Sequence, residues 1–126
     1  MNVQPKLSVV FFRTDSGNEP VRAWLEGLGG EDERRIDADI VVVAEHWPIV
    51  LRTSLVKKLR GEGNLWEIRS RISDGKRIAR VLFTVEAGEL ILLHDFIKKS
   101  QKTPQKDLRL ARRRNELWKA RSESHE

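Results

Sequence analysis

Two short turn signals cut residues 64–98 into three strand-like segments, and this constrains the fold more than any other feature of the sequence. Asn64–Ser73 and Lys76–Glu86 flank Asp74-Gly75. That dipeptide favours a two-residue hairpin loop because both residues tolerate positive φ. Glu89–Lys98 follows a weaker signal of the same kind, Ala87-Gly88. With Asp74-Gly75 as the loop, Ser73 faces Lys76, Trp66 faces Phe83 and Ile68 faces Val81. The opposite face then sets Arg69 against Arg80. With Ala87-Gly88 as the second loop, Phe83 faces Leu92, Val85 faces Leu90 and Arg80 faces Asp95. Both turns select one apolar face, so Trp66, Ile68, Val81, Phe83, Val85, Leu90 and Leu92 are expected to be buried together. A slip of one residue would send Arg69 and Arg80 into that core instead.

The flanking elements are simpler. Ser8–Arg13 reads as a first strand from its β-branched and aromatic residues. Pro20 suits the first turn of a helix, where its missing N–H costs nothing. Val21, Trp24, Leu25 and Leu28 recur at helical spacing until Gly29-Gly30. A second helix is expected over Asp32–Trp47, with Ile36, Ile40, Val43, Ala44 and Trp47 as its apolar stripe and Pro48 as its stop. Glu31-Asp32-Glu33 complements the dipole at its start. Pro48–Lys58 reads as a connection. Thr103-Pro104 announces a final helix to about Ala120, with Leu108, Ala111, Asn115 and Trp118 on one face. The expected fold is α+β: an N-terminal strand, two helices, a three-strand meander and a C-terminal helix around a small antiparallel sheet. The 126 residues suit a single domain over 1–126, with a disordered tail at 122–126.

Composition narrows the chemistry. There is no cysteine, which removes disulfides, zinc–thiolate sites and a cysteine nucleophile. The longest apolar runs, Ile40–Ala44 and Leu90–Leu93, are too short to span a bilayer, and the first residues lack the order of a signal peptide. A cytoplasmic location is expected. Charge is strongly asymmetric. Residues 1–50 carry 5 Lys/Arg against 9 Asp/Glu, whereas residues 98–121 carry 10 against 2. This outline suits a polyanion binder and equally a well-solvated surface.

Like charges directly opposed on adjacent strands are destabilising, so Arg69 against Arg80 needs a cause. Asp95 and Glu67 can neutralise the pair. Alternatively, two guanidinium groups on a rigid sheet converge on a phosphate, which their planar forks match.

The segments Lys57–Ile72 (KKLRGEGNLWEIRSRI), Arg77–Phe83 with Arg80-Val81-Leu82-Phe83, Leu93–Pro104 (LHDFIKKSQKTP), and Ala111 with Arg112–Arg114 resemble the RelE/HigB-like toxin superfamily. The nearer likeness is to its phage-derived HigB-type branch. Phe96-x-Lys98-Lys99 with Thr103-Pro104 is the most specific part. The resemblance implies a RelE-like fold and the toxin of a type II toxin–antitoxin system. It implies an endoribonuclease that cuts mRNA on the ribosome, with no cofactor and no metal. The implied partners are a cognate HigA-type helix-turn-helix antitoxin, mRNA, and operator DNA only through the antitoxin.

Carried over residue by residue, the resemblance makes Arg69, Arg80, Lys98 and Lys99 the catalytic candidates. Lys57, Lys58, Arg71, Lys102 and Trp66 are the RNA-binding candidates. One departure is that the chain has no Tyr, whereas relatives often place a Tyr near the stacked base, so stacking falls to Trp66, Phe96 or Trp118. RNA supplies its own nucleophile, the 2′-OH. Arg69 and Arg80 would hold the developing phosphate charge. A Lys among other cations, whether Lys57, Lys98 or Lys99, would move the proton. Asp95 is a weaker base candidate. His94 is expected on the core face as a hydrogen-bonded structural histidine. The alternative reading is a non-catalytic phage-derived RNA- or DNA-binding regulator, to which the charge map fits equally well.

Overall fold

The three-strand meander forms where its two turns place it. In the computed structural model, which describes residues 6–97 and 103–123, the strands are β3 (Trp66–Ile72), β4 (Arg77–Glu86) and β5 (Glu89–Ile97). Asp74 and Gly75 have φ of 55° and 84°, the left-handed pair that a tight hairpin needs. Lys76 N–H donates to Ser73 O at 3.1 Å. The register follows: Trp66 faces Phe83, Ile68 faces Val81 and Arg69 faces Arg80. The second turn also gives the expected partners near the loop, with Phe83 facing Leu92 and Val85 facing Leu90.

Farther along β5 the expectation fails. The register jumps between Leu82 and Phe83, and Leu93 becomes an extra residue. Arg80 therefore faces Phe96, not Asp95, while Asp95 faces Val81 and His94 faces Leu82. A β-bulge reverses the facing of every residue beyond it.

The five-stranded sheet has the order β1-β5-β4-β3-β2, with β1 at Ser8–Phe11 and β2 at Val56–Lys58. Two features differ from the expected sheet. β1 lies parallel to β5, with Val9 beside Leu90, so the sheet is mixed. β2 is a true strand, paired antiparallel with β3 through Val56–Ile68, Lys57–Glu67 and Lys58–Trp66. Three residues are too few for alternation to be visible in a sequence.

One face of the sheet is covered by α1 (Pro20–Leu28) and α2 (Gly30–Glu45). Val21 and Leu25 of α1, with Ile36, Ile40, Val43 and Ala44 of α2, pack on Ile68, Val81, Phe83, Leu90 and Leu92; Trp66 and Val85 flank the cluster. Each such aliphatic or aromatic side chain contributes about 1.5–3 kcal/mol when fully buried. The first turn of α2 does more than complement a dipole. Asp32 accepts the Ser73 N–H at 2.9 Å and lies 3.6 Å from the Arg77 guanidinium, which ties the helix to the β3–β4 turn.

The other face carries α3 (Gln105–Glu123), which continues past Ala120 through Ser122 and Glu123. Ala111 packs with Leu82, Ile91 and Leu93, flanked by Leu108 and Trp118. Asn115 donates to Asn64 Oδ1 at 3.3 Å. Among the described residues, no helix is long and apolar enough to cross a membrane.

Candidate nucleic-acid interface

Strand parity sorts the candidates by face. Lys57 faces Glu67 on the adjoining strand, and Arg69 faces Arg80, so Lys57, Glu67, Arg69, Arg71 and Arg80 all belong to the α3 side of the sheet. The bulge brings His94 and Phe96 to that side as well. Lys58 and Trp66 belong to the opposite side. This corrects the expectation for Trp66. Its ring lies 5.1 Å from Trp47 and 6.0 Å from Phe83, within the α1–α2 core, and Lys58 Nζ sits 4.6 Å above it. Lys58 also donates to Gly63 O. Phe96, half-buried and 6.1 Å from the His94 ring, is the aromatic group that shares a face with Arg69 and Arg80.

Arg80 is only 2% exposed and Glu67 only 1%. The Arg80 Nη1 donates to Glu67 Oε1, and Thr103 Oγ1 donates to Glu67 Oε2 at 3.3 Å. Burial lowers the Arg80 pKa, Glu67 opposes that shift, and Arg69 adds to it. The group stays charged all the same, since a guanidinium does not lose its proton in a protein. The Nε atoms of both Arg69 and Arg80 are buried with no hydrogen-bond partner among the described residues. Glu67 is the ion-pair partner of Arg80; Arg69, directly opposite Arg80, has no ion pair among the described residues. Asp95, displaced by the bulge, faces Val81 instead.

Open space adjoins this cluster on two sides. A cleft of about 490 Å³ is lined by Lys57, Lys58, Arg60, Glu62, Thr103 and Leu108 among others. A cavity of about 310 Å³ at the edge of β3 is lined by Arg35, Asp39, Leu55, Arg69, Arg71 and Ile78 among others. Arg35, 3.3 Å from Asp39, was not singled out from sequence, because it reads as an ordinary helix-surface residue. Lys98, Lys99 and Lys102 lie outside the described residues. Among the described residues, no group of acidic, histidine or cysteine side chains is arranged to hold a metal.

His94 is a bonded structural histidine, but on the α3 face. Its Nε2 lies 2.6 Å from Asp107 Oδ1, and Arg114 donates to Leu93 O at 2.8 Å beside it. Burial lowers the His94 pKa while Asp107 pulls it back. Asp95, at an apolar-face position, has its pKa pushed up to about 7 by burial, with Arg114 opposing.

Residues 23–116, well over half of the chain, match the family described as "Phage derived protein Gp49-like (DUF891)". The chain belongs to this phage-derived Gp49-like family. No curated protein matches it. The Gp49-like family is associated with RelE-like toxins, and the α+β architecture of this chain is consistent with the small RelE-like fold. The match spans α2, the sheet from β2 to β5 and most of α3, and so takes in every described member of the basic face.

Proposed function

We propose that this Gp49-like chain is the toxin of a type II toxin–antitoxin pair, of the HigB type, and that it cleaves mRNA, most effectively on the ribosome. The observation that carries the reading is the cationic cluster on the α3 face. Arg69 and Arg80 are fixed opposite each other on neighbouring strands, Arg80 paired with Glu67 and Arg69 without an ion pair among the described residues, near a cleft lined by Lys57, Lys58 and Arg60. A buried donor left without a partner is costly, and a phosphate oxygen at Arg69 would offset that cost.

In the proposed reaction the RNA 2′-OH attacks the adjacent phosphorus, the 5′-oxygen leaves, and the products are a 2′,3′-cyclic phosphate and a 5′-hydroxyl. Arg69, half-buried beside open space, meets the non-bridging phosphate oxygens. Arg80, held beneath by Glu67, acts as a positioning residue and raises the local positive potential. Lys57 is the described lysine on this face that could move a proton, with Lys98 and Lys99 as the other candidates. Lys58, Arg71 and Lys102 would guide the backbone of the RNA. The partner would be a HigA-type helix-turn-helix antitoxin, through which alone operator DNA is engaged, and the site of action would be the cytoplasm.

One observation favours a second reading, a non-catalytic RNA- or DNA-binding regulator: Arg80 is already paired and almost fully covered. End-group analysis separates the two. Purified chain with translating ribosomes and mRNA should generate 5′-hydroxyl ends, and 2′-deoxy substitution at the cleaved position should abolish them. Arg69→Ala should reduce the rate about 10²–10³-fold, the usual cost of removing one preorganised donor at a developing charge. Protection of RNA without new ends would establish the regulator instead.

A further inference from the structure

The cations of α3 divide into two sets. Arg112 is held by Glu62 at 3.0 Å, Arg114 by Leu93 O, Lys119 by Asn64 Oδ1 at 3.4 Å and Arg121 by Asp15 at 2.8 Å. These staple the helix to the body. Lys106, Arg109 and Arg113 have no ion pair among the described residues, and together with His94, Asp107 and Leu110 they line an open cavity of about 530 Å³. Asp107 is buried and hydrogen-bonded to His94. At 3.6 residues per turn, Lys106, Leu110, Arg113 and Leu117 fall in one row with Arg109 at its edge. Leu110 and Leu117 are each 36% exposed, on the flank of α3 turned away from the cleft lined by Lys57 and Leu108.

We propose that this row is a docking surface for an acidic amphipathic segment of a partner protein. Lys106, Arg109 and Arg113 would receive its carboxylates, and Leu110 and Leu117 its apolar side chains. A nucleic acid backbone would satisfy the cations but offers nothing to two leucines a helical repeat apart, so the mixed chemistry favours a protein. The identity of that protein as the antitoxin rests on the toxin reading. The surface itself does not.

The test is binding in solution, with no growth or cleavage readout, so failure of the toxin reading leaves it decidable. The probe is a fluorescent synthetic helical peptide with leucines in one row and glutamates on both flanks. A second peptide replaces the leucines by serine, and a single-stranded oligoribonucleotide serves as comparator. The leucine peptide should bind the wild-type chain about tenfold or more tighter than the serine peptide, roughly one well-packed apolar anchor. L110S/L117S and K106E/R109E/R113E, all at exposed positions, should each weaken the leucine peptide about tenfold or more and leave oligoribonucleotide affinity unchanged in the first variant. No binding by the leucine peptide, equal binding of both peptides, or unchanged binding in either variant would overturn the proposal. So would a loss of RNA affinity in L110S/L117S, which would make the row a nucleic-acid contact. Self-association of the chain that K106E/R109E/R113E abolishes would assign the row to a second copy and overturn it equally.

Discussion

The two faces of the central sheet are built on opposite principles. Toward α1 and α2, Ile68, Val81, Phe83, Leu90 and Leu92 are fully buried and apolar, and these side chains stabilise by leaving water. Toward α3, Leu82, Ile91 and Leu93 make a smaller apolar cluster, and beside it lie Glu67, Arg69 and Arg80, with both Glu67 and Arg80 buried. Buried charge of this kind roughly breaks even at best, because desolvation offsets the attraction. The first face stabilises through apolar burial. The second carries a buried ion pair, Arg80 with Glu67, next to the half-buried Arg69.

The comparison breaks most readily at Glu67. Glu67→Ala would leave the buried Arg80 guanidinium without its counter-charge, opposite Arg69, and should cost about 3–5 kcal/mol. That equals the cost expected for Phe83→Ala on the apolar face, about 3–5 kcal/mol, although one loss is electrostatic and the other is a cavity. Urea unfolding of both variants checks this, and a Glu67→Ala loss below that of an ordinary surface change would show the pair to be hydrated. Because Arg80 is paired, Arg80→Ala is also expected to destabilise. Relief of its repulsion with Arg69 does not compensate for an orphaned Glu67.

A smaller effect sharpens the contrast. Replacing both partners, Glu67→Met with Arg80→Met, should change stability by no more than a gain of about 1–4 kcal/mol while abolishing any RNA cleavage. A double variant that is stabler and inactive would show that the pair is kept for function. One that is markedly less stable would show that it holds the fold together.

A third effect shows only with pH and lies at Asp95, an acid on the apolar face. Burial raises its pKa from 3.8 to about 7, so the folded state holds this proton more tightly than the unfolded chain. Its contribution to stability is present below the unfolded value and is lost as pH climbs toward the folded one. Asp95→Asn stays neutral throughout, so its stability relative to the wild type should rise between those two pKa values and level off above them. Thermal melts across that window measure the trend, and parallel curves would mean that the carboxyl is solvated. His94 runs the other way: burial lowers its pKa, so its contribution is lost as pH falls below the ordinary histidine value.

Much of this molecule is local, and what is local can be read in a sequence. Asp74-Gly75 and Ala87-Gly88 supply the backbone angles of tight turns, and alternation then aligns Trp66 with Phe83 and Arg69 with Arg80 without further information. The apolar rows of α1, α2 and α3 follow from a 3.6-residue period in the same way. Arg69, Arg80 and Lys57 were recognisable as candidates because their strand positions, or the resemblance of the segments around them, could be read in order along the chain. Trp66 was named for RNA through the resemblance, although its strand parity already faced it toward Phe83 in the core, where the structure packs it.

Tertiary structure decided the rest, because those choices depend on groups far apart in sequence. Alternation is the same beside a parallel or an antiparallel neighbour, so only packing set β1 parallel to β5. The bulge at Leu93 has no local signature: both strands alternate well on either side of it, and the extra residue is accommodated where Leu93 and His94 both meet α3. That single insertion took Asp95 away from Arg80 and left Glu67 as the counter-charge. It also carried His94 to Asp107, across a sequence separation that no pattern of spacing could have bridged.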